Sequence, residues 1–431
     1  MDGMKHLPFH LSASPSRVVI RPFHLAVEPR SLNAVQTSRA HRIVAAVLAL
    51  SEEACLTQMS LVNTDFHTRH WQTRKVFLRR CAEMMESLDL GRIHQDLSEP
   101  RRELIGAYFC HEYSYAAAAL MNPSVVPHVD QSGLPDNAIR IIISLRAVGE
   151  GHISSIVFRE GIFYSDGSLV LQPEPPFAVA TASVGGARDG EVIAERDRDV
   201  SLSGTVIFPF TAAQRNGLED LRLVRFEEGG GRYVYYGTYT AYSGSAIASE
   251  IMETRDFRTF SLRSLTGDAA KNKGLALFPR KINGAYAMIG RHDNESLFLL
   301  RSHDLHHWEP GAYLLGPKYP WDLVQMGNCG APMEIDEGWL VLTHGVGPMR
   351  QYSVGAALLD KMDPSKVIGR SELPLLTPLN ETREGYVPNV VYTCGGLVFQ
   401  RTLFLPYGVA DSSVRFCCID IDSLLRTLKP A

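Results

Sequence analysis

After Met121 the chain repeats one pattern, in which short β-rich runs are separated by turns of Gly, Asn, Asp and Pro. Five similar units begin near Asn122, Glu219, Leu275, Gly330 and Pro388. Beyond the first, the units recur at roughly 50 residues, a spacing typical of propeller blades. A β-sandwich of unrelated strands is the alternative, but it does not require similar units. The repeat therefore predicts an all-β, five-bladed β-propeller over residues 122–431.

The part of the chain before this repeat has the period of α-helices. Between residues 31 and 121, apolar side chains recur at spacings of three and four. Ser51, followed by Glu52 and Glu53, has the pattern of a helix N-cap with acids in the first turn. We predict helices at residues 38–50, 51–62, 71–88 and 101–120, a loop at 88–100 and a strand at 17–25. The predicted domains are an N-terminal strand and helical extension over residues 1–121 and the propeller over residues 122–431.

Composition argues against several classes of protein. The net charge is −4 and no run of lysine and arginine stands out, so neither nucleic acid nor an anionic membrane is an expected partner. Residues 1–10 contain no signal-peptide core, and no stretch reaches the ~18 uncharged apolar residues of a membrane span. The seven cysteines include no CxxC pair, which argues against structural zinc or a disulfide framework. We expect a cytoplasmic protein.

Residues 217–222, Gly-Leu-Glu-Asp-Leu-Arg, place two carboxylates and a guanidinium within four residues, just before a strand-like run. An acid beside an arginine is common on protein surfaces, so the motif is weak evidence by itself. Several other units end in His, Arg, Asp or Gly, and in a propeller such strand ends line one mouth of the central channel. An acid and anion-binding side chains at that mouth indicate a site that cleaves a bond to a sugar.

Several separated segments, in order along the chain, resemble glycoside hydrolase family 130, the inverting β-mannoside phosphorylases and related mannosidases. The segments are residues 217–222, 277–291 (LFPRKINGAYAMIGR), 327–346 (GNCGAPMEIDEGWLVLTHGV), 355–370 (GAALLDKMDPSKVIGR), 387–394 (VPNVVYTC) and 407–411 (YGVAD). The helical extension is similar to that of longer members, which include phosphorylases of β-1,2-linked mannosides. The usual Glu-Asp-Pro-Arg of the family is Glu-Asp-Leu-Arg here, because Leu221 replaces a proline that stiffens the turn.

The resemblance implies that Asp220 is the catalytic acid, acting through a sugar hydroxyl, and that Glu219 orients the site or binds the sugar. Inorganic phosphate would be the co-substrate and nucleophile, with no cofactor, and it is best held by arginine with lysine or histidine added. The phosphate-binding candidates are Arg222, Lys273, Arg280, Arg291 and His344. Taken one at a time, each of these cations is more often a surface charge, and Asp220 more often a turn residue.

Sugar recognition favours planar rings and polar groups near the same mouth of the channel. The substrate-binding candidates are Glu219, Arg146, Glu150, His152, Tyr239, Tyr242, Asp293, Asn294, Asn389, Tyr407 and Asp411. Tyrosines on strands are as often core residues, and Arg146, Glu150 and His152 could form a charged hairpin tip. His128, Asp130 and the run from Asp65 to His70 do not match zinc spacing, so no metal site is predicted.

Three functions remain open at this point. The favoured one is phosphorolysis of a β-mannoside, β-1,2-mannobiose or β-1,2-oligomannan, with inversion to α-mannose 1-phosphate. A β-mannoside hydrolase on the same scaffold is the second, although related hydrolases lose the basic residues that this chain keeps at Lys273 and Arg280. The third is a non-catalytic carbohydrate-binding propeller, which would not need Asp220 with Arg222. We expect the helical extension to be structural, either walling the sugar channel or making a homo-oligomer contact.

Overall fold

The computed structural model describes residues 3–25, 38–186, 190–379 and 384–430. It is mostly β, with α-helices near the N-terminus. The chain divides into two compact units. The helical unit comprises Ser16–Ser114 and Pro176–Ala180, and the β unit comprises Met1–Pro15, Tyr115–Pro175 and Thr181–Ala431. These bounds differ from the predicted division at residue 121, because the first strand of the chain belongs to the β unit.

The helical unit begins its first two helices at serine caps. Its described elements are β2 (Val18–Pro22), α1 (Arg39–Leu48), α2 (Glu52–Phe66), α3 (Thr73–Ser87), α4 (Gly91–Gln95), α5 (Glu99–Tyr108), β3 (Cys110–Ser114) and β8 (Val179–Ala180). Ser38 and Ser51 accept hydrogen bonds from the backbone N–H groups of His41 at 3.3 Å and Ala54 at 3.1 Å. The predicted N-cap at Ser51 is therefore confirmed. Among the described residues, no single helix is long and apolar enough to cross a membrane, although α1 and α2, bent by 114°, pass that test as a pair.

Two predictions in this unit were wrong. The predicted helix at residues 101–120 ends at Tyr108, where the chain leaves α5 and forms β3. β3 pairs antiparallel with β2, from Val18 with Ser114 to Pro22 with Cys110. A distant partner strand thus overrides helical periodicity, which reflects local spacing only. The short helix α4 lies inside the predicted loop at residues 88–100, whereas the predicted strand at residues 17–25 is confirmed as β2.

The described strands of the β unit form five groups, each of which is antiparallel within itself. Group 1 has β4 (Ala119–Pro127), β5 (Ala138–Val148), β6 (Ser154–Tyr164), β7 (Leu169–Leu171) and β11 (Thr205–Ile207). Group 2 has β9 (Ala182–Ser183), β10 (Glu191–Glu195), β12 (Gly217–Gly229), β13 (Arg232–Tyr242), β14 (Ile247–Thr254) and β15 (Thr259–Ser264). A single parallel pair, Ser154 with Gly217, joins these two groups.

The remaining three groups follow in chain order. Group 3 has β16 (Ala276–Leu277), β17 (Tyr286–Gly290), β18 (Leu297–Ser302) and β19 (Ala312–Leu315). Group 4 has β20 (Gln325–Asn328), β21 (Met333–Ile335), β22 (Gly338–Val346), β23 (Tyr352–Leu359), β24 (Val367–Ser371) and β29 (Leu428–Pro430). Group 5 has β25 (Val391–Tyr392), β26 (Leu397–Phe399), β27 (Thr402–Val409), β28 (Ser413–Asp420) and the first strand, β1 (Met4–Ser12). Helix α6 (Ile421–Thr427) connects β28 to β29.

Each group packs against the next one along the chain. Groups 1 and 2 share a core in which the rings of Phe158 and Phe260 stack with centroids 5.9 Å apart. Further cores join groups 2 and 3, groups 3 and 4, and groups 4 and 5. Group 5 returns to group 1, where Phe404 stacks on Phe163 with centroids 4.7 Å apart. The sequence of contacts therefore closes on itself.

The first strand completes group 5. β1 pairs antiparallel with β28, from Met4 with Ile419 to Ser12 with Ser413. At the other end of the described chain, β29 pairs with β24 of group 4. β1 was not predicted from the sequence, because a short strand whose partner lies at the far end of the chain leaves no local signal.

Candidate active site

One cavity of about 350 Å³ receives side chains from all five groups of the β unit. Its lining is largely polar and includes both carboxylates and cations. The ionisable lining residues other than tyrosine are Arg146, Asp220, Arg222, Lys273, Arg291, His344, Arg350 and Asp411. Convergence of charged groups from separate sheets on one concave space is typical of a ligand site.

Two matching β-bulges aim polar side chains into this cavity. The pairing of β4 with β5 shifts register around Asn122, and the pairing of β12 with β13 shifts around Asp220. Both residues have positive φ, 50° for Asn122 and 57° for Asp220, a conformation that Asn and Asp tolerate better than most residues. Nδ2 of Asn122 donates a hydrogen bond of 2.7 Å to Oδ1 of Asp220. The bulges thus bring side chains of neighbouring groups together.

Arg146 binds two carboxylates at once. Its Nη1 donates to Oδ1 of Asp220 at 3.2 Å, and its Nη2 donates to Oε1 of Glu219 at 2.6 Å. Burial works to raise the pKa of Asp220, but Arg146, Arg222 and the Asn122 hydrogen bond outweigh it and lower this pKa to about 2. Burial raises the pKa of Glu219, with Arg146 opposing the shift and Asp220 adding to it. Asp220 is therefore a firmly ionised carboxylate beside one that protonates more easily.

Arg222 is fixed against the same acid but keeps a spare donor. Its side chain is buried, its Nη1 donates to the backbone carbonyl of Asp220 at 3.0 Å, and its Nη2 donates to the hydroxyl of Tyr392 at 2.8 Å. Its Nε is buried and has no hydrogen-bond partner in the described structure. The guanidinium is thus held in place without a carboxylate side chain of its own.

Arg291 is a buried cation with two spare donors. It is 7% exposed, and its Nε and Nη1 have no hydrogen-bond partner in the described part of the chain. Burial lowers the pKa of Arg291. Burial, followed by Arg291 and Arg222, lowers the pKa of His344 well below its usual value, so this ring is neutral. Buried guanidinium groups without paired carboxylates are suited to binding an anion from solution.

A second carboxyl group lies in the cavity with Asp220. Burial, and then repulsion from Asp220, raises the pKa of Asp411 to about 6, against the attraction of Arg146 and Arg350. The two carboxyl groups therefore have well separated pKa values within one site. At a pH between these two values the pair holds a single proton, and that proton is on Asp411.

The cavity brings together many of the residues predicted from the sequence. These are Arg146, Asp220, Arg222, Lys273, Arg291, Asn294, His344 and Asp411. Glu219 does not line the cavity, but its salt bridge with Arg146 holds it beside Asp220. The predicted acid, four of the five predicted phosphate-binding residues and some predicted sugar-binding residues are therefore neighbours in space.

Arg280 lies elsewhere, which corrects its grouping with Lys273. Its Nε and Nη2 donate to the two carboxylate oxygens of Glu334 at 2.8 and 2.9 Å, and its guanidinium lies 4.9 Å from the ring centroid of Trp339. It lines a different cavity, which Glu334 also lines. Because a bidentate carboxylate already uses these donors, we exclude Arg280 from the anion site.

Tyr239 and Tyr407 are core residues and do not line the cavity. Tyr239 is 2% exposed, and its hydroxyl donates to Glu250 at 2.5 Å and accepts from Gln214 at 3.2 Å. Tyr407 is 5% exposed, and its hydroxyl lies 3.1 Å from Nδ1 of His6 in β1. Burial of the rings and these internal partners leave neither hydroxyl available to a sugar in the cavity.

Five other candidates lie in or beside turns, outside the cavity lining. They are Glu150, His152, Tyr242, Asp293 and Asn389. His152 is exposed, with its Nδ1 2.7 Å from the hydroxyl of Tyr386. Asp293 accepts two backbone N–H groups of its own turn, and the Tyr242 hydroxyl donates to the next turn at 3.0 Å. Local turn hydrogen bonds therefore account for Asp293 and Tyr242, and a contact with Tyr386 accounts for His152.

Several residues that line the cavity were missed by the sequence analysis. They are Asn122, Gln325, Asn328, Arg350, Tyr352 and Tyr392. Asn122 did carry a signal, because Asn122-Pro123-Ser124 occupies in group 1 the bulge position that Asp220-Leu221-Arg222 occupies in group 2. Aligning the units at their bulges would have placed Asn122 beside Asp220.

Comparisons with known proteins agree with this arrangement. A family model for glycoside hydrolase family 130, described as β-1,4-mannooligosaccharide phosphorylase, matches residues 200–430, more than half of the chain. The chain therefore belongs to glycoside hydrolase family 130.

Two curated relatives and one solved structure illustrate the similarity. The β-1,2-mannobiose phosphorylase of Listeria innocua serovar 6a is 32% identical over 230 residues, which are 52% of this chain and 63% of the relative. The 1,2-β-oligomannan phosphorylase of Thermoanaerobacter sp. is 32% identical over 220 residues, 50% of this chain and 72% of the relative. The match thus spans less than two thirds of the first relative.

The solved structure is described as "The GH130 family of mannoside phosphorylases contains glycoside hydrolases that target beta-1,2 mannosidic linkages in Candida mannan". It superimposes with a TM-score of 0.52 at 21% identity, over 74% of this chain and 88% of that chain. This likeness concerns the fold alone.

Proposed function

We propose that this chain is an inverting β-mannoside phosphorylase that uses inorganic phosphate to release α-mannose 1-phosphate. We favour β-1,2-mannobiose or a β-1,2-oligomannan as the substrate. The support for this linkage is that the two relatives described above, a β-1,2-mannobiose phosphorylase and a 1,2-β-oligomannan phosphorylase, are each 32% identical to the chain.

The proposed scaffold is a five-bladed β-propeller in which each strand group is one blade. Successive groups share hydrophobic cores, and group 5 packs on group 1, which is the contact order of a closed ring. A ring of blades places the inner strands around one channel. The cavity that receives side chains from every group would then be one mouth of that channel.

The observation that carries the proposed reaction is an acid beside buried cations that have no carboxylate partner. Asp220 is bound by Arg146. Arg222 and Arg291 line the same cavity, and each has at least one buried guanidinium N–H group that lacks a partner among the described residues. Unpaired buried charge is costly, so a protein retains it where a ligand completes the pairing. Phosphate supplies the negative charge that pairs with these arginines, and Lys273 and the neutral His344 supply further hydrogen-bond donors.

In the proposed reaction, a phosphate oxygen attacks the anomeric carbon of the mannosyl group from the face opposite the glycosidic oxygen. The new carbon–oxygen bond forms as the glycosidic bond breaks, so the configuration inverts. Asp220 supplies a proton to the leaving oxygen through a sugar hydroxyl. The proton that phosphate loses on becoming an ester balances the one that the released sugar gains.

Phosphate would also prepare Asp220 for this step. Arg222 and Lys273 are among the cations that lower the pKa of Asp220, and a bound phosphate dianion would neutralise part of their field. The pKa of Asp220 therefore rises when phosphate binds. The acid is charged in the empty site and is more easily protonated in the loaded site.

A hydrolase is the second candidate, and Asp411 is the observation that favours it. An inverting hydrolase needs a second carboxylate to activate water, and Asp411 lines the same cavity as Asp220. We rank this candidate second, because it leaves the spare donors of Arg222 and Arg291 without a role. A non-catalytic carbohydrate-binding propeller ranks third, since it needs no proton donor.

Product analysis separates these candidates. The purified chain is incubated with β-1,2-mannobiose or β-1,4-mannobiose, each with and without phosphate, and products are followed by ¹H and ³¹P NMR. The proposal expects α-mannose 1-phosphate from the β-1,2-linked substrate in the presence of phosphate only. Free mannose formed equally without phosphate would establish the hydrolase, and binding without turnover would establish the third candidate. A cytoplasmic location and a homo-oligomer both remain predictions.

A further inference from the structure

The imidazole of His344 is held in one orientation. It lies between two tyrosines, with ring centroids 5.9 Å from Tyr352 and 4.9 Å from Tyr392. Its strand partner in β20 is Gly327, and a Cβ atom at that position would lie 2.3 Å from Cε1 of the ring. The absence of a side chain at Gly327 therefore makes room for the ring. His344 is a fixed part of the cavity wall.

One nitrogen of this ring faces a buried thiol. Sγ of Cys329 lies 3.7 Å from Nδ1 of His344, within hydrogen-bonding range for sulfur. Cys329 is 1% exposed and does not line the cavity, whereas His344 does. Because Nδ1 is in contact with this thiol, Nε2 is the ring nitrogen that remains for a ligand.

The protonation of the two groups gives the contact a direction. Burial raises the pKa of Cys329 to about 12, so the thiol keeps its hydrogen, and a backbone hydrogen bond from Thr393 reaches its sulfur. The lowered pKa of His344 keeps the imidazole neutral, with a single N–H. An S–H donor at Nδ1 requires a lone pair on Nδ1 and therefore puts the ring hydrogen on Nε2.

We propose that Cys329 is a positioning residue, which keeps His344 in the Nε2–H tautomer so that the ring donates a hydrogen bond to the anion in the cavity. The opposite tautomer would present the lone pair of Nε2 to an anionic oxygen, and this contact is repulsive. The identity of the anion as phosphate rests on the proposed function. The inferred tautomer of His344 does not depend on which anion binds in the cavity.

One competing arrangement involves the backbone carbonyl of Asn328. This carbonyl also acts as a hydrogen-bond acceptor for the ring and raises its pKa, against the larger effect of burial. A ring that donated Nδ1–H to it would leave Nε2 as an acceptor and Cys329 without a role. The two arrangements differ in which nitrogen carries the hydrogen, and this can be measured directly.

The first test reads the tautomer by NMR. Protein with ¹⁵N-labelled histidine rings is examined by long-range ¹H–¹⁵N correlation, and the His344 signals are those missing from His344→Gln. The proposal expects a protonated Nε2 and an unprotonated Nδ1 in the native protein and in Cys329→Ser, whose hydroxyl is also a donor. Cys329→Ala should shift the ring towards Nδ1–H. A native ring with Nδ1–H, or a tautomer unchanged in Cys329→Ala, overturns the proposal.

The second test reads the consequence for the anion. In Cys329→Ala the KM for phosphate should rise roughly 3- to 10-fold, the effect of one lost hydrogen bond, while the KM for the mannoside stays nearly constant. Cys329→Ser should recover most of the loss. Cys417→Ala is the matched control, because Cys417 is as buried and lies in the same hydrophobic core as Cys329, whereas the sulfur beside Nδ1 of His344 is that of Cys329. Thermal unfolding of each variant shows that it is folded.

Failure of this inference and failure of the proposed function give different results. Phosphate-dependent turnover with equal rises in both KM values in Cys329→Ala overturns the positioning role and leaves phosphorolysis standing. Turnover that ignores phosphate overturns the function, and the NMR tautomer still decides the role of Cys329.

Discussion

Asn122 donates a hydrogen bond of 2.7 Å to Asp220, and the two residues occupy the same bulge position in neighbouring strand groups. The repeat that builds the fold therefore also builds the site, because equivalent bulges from two groups face each other. The amide donor of Asn122 favours the ionised form of Asp220 and adds to the effect of Arg146. An acid held so firmly as a carboxylate needs its ligand to become a proton donor.

Asp220→Asn should abolish turnover while the protein stays folded. Loss of a general acid typically costs on the order of 10²–10⁴ in rate. The asparagine oxygen can still accept from Asn122 and Arg146, but the lost charge should reduce the free energy of unfolding by up to about 2 kcal/mol at neutral pH. Initial rates and urea unfolding measure the two effects. Near-native rates from pure variant would remove Asp220 from the mechanism.

Arg291→Ala should raise the KM for phosphate more than the KM for the mannoside. Arg291 lines the cavity with Asp220, and two of its donor atoms lack a partner among the described residues. A charged hydrogen bond is worth about 1.5–3 kcal/mol, which corresponds to a change of roughly 10- to 100-fold. Arg280→Ala is the matched control, because that arginine is bound to Glu334 and lines another cavity. Steady-state kinetics with both substrates checks this. A phosphate effect of Arg280→Ala equal to that of Arg291→Ala would contradict the assignment.

Asp411 should make the native protein less stable as pH rises from about 4 to 6. Burial and the charge of Asp220 raise its pKa to about 6 from the ordinary value of about 3.8, so in this range the folded state holds a proton that the unfolded state releases. This destabilising contribution of Asp411 to the free energy of unfolding is absent well below pH 4 and constant above about pH 7. Asp411→Asn removes this contribution. The change in the free energy of unfolding caused by the substitution should therefore be more stabilising at pH 7 than at pH 4, by on the order of 2 kcal/mol. Urea unfolding without phosphate at both pH values tests the sign.

Tyr239→Phe should lower stability without changing the mannoside KM. The phenol donates one of the hydrogen bonds that the buried Glu250 accepts, and the loss of one such bond costs roughly 0.5–1.5 kcal/mol. Tyr242→Phe is the control, since the hydroxyl of Tyr242 is exposed and bonds only to its own turn in the described structure. If Tyr239→Phe raised the mannoside KM at unchanged stability, the tyrosine would belong to the sugar site after all.

Local patterns in the sequence were sufficient to locate most strands of the β unit. The strand-like run that follows the motif at residues 217–222 is β13, Arg232–Tyr242, and β22, Gly338–Val346, lies in the unit that begins near Gly330. Their β-branched and aromatic residues and their flanking turns are encoded within each segment. The motif at Asp220 was found for the same reason, since its acid and arginine lie within three residues of each other.

The errors came from contacts that no single segment encodes. Arg280 was grouped with Lys273 because they are near in sequence, yet Arg280 binds Glu334 of group 4. Tyr239 lies opposite the bulge of β12, and which face of the sheet its ring enters depends on that register. Tyr392 and Tyr352 reach the cavity only because groups 4 and 5 border the same cavity as Asp220 of group 2. Such residues follow from the fold and not from their own neighbours.

Removal of β1 should destabilise the β unit even though β1 carries no cavity residue. Deleting residues 1–12 leaves β28 as an edge strand, and it loses its pairing with β1 and the contact of Phe416 with Phe9, whose ring centroids are 5.3 Å apart. With several ladder hydrogen bonds lost, the free energy of unfolding should fall by on the order of 3 kcal/mol or more. Lys5→Ala is the control, since it keeps the strand. Thermal unfolding and size-exclusion chromatography report the loss, and a peptide of residues 1–13 added in trans should raise the Tm again. A soluble truncated protein with native Tm, unaffected by the peptide, would show that β28 does not need this partner.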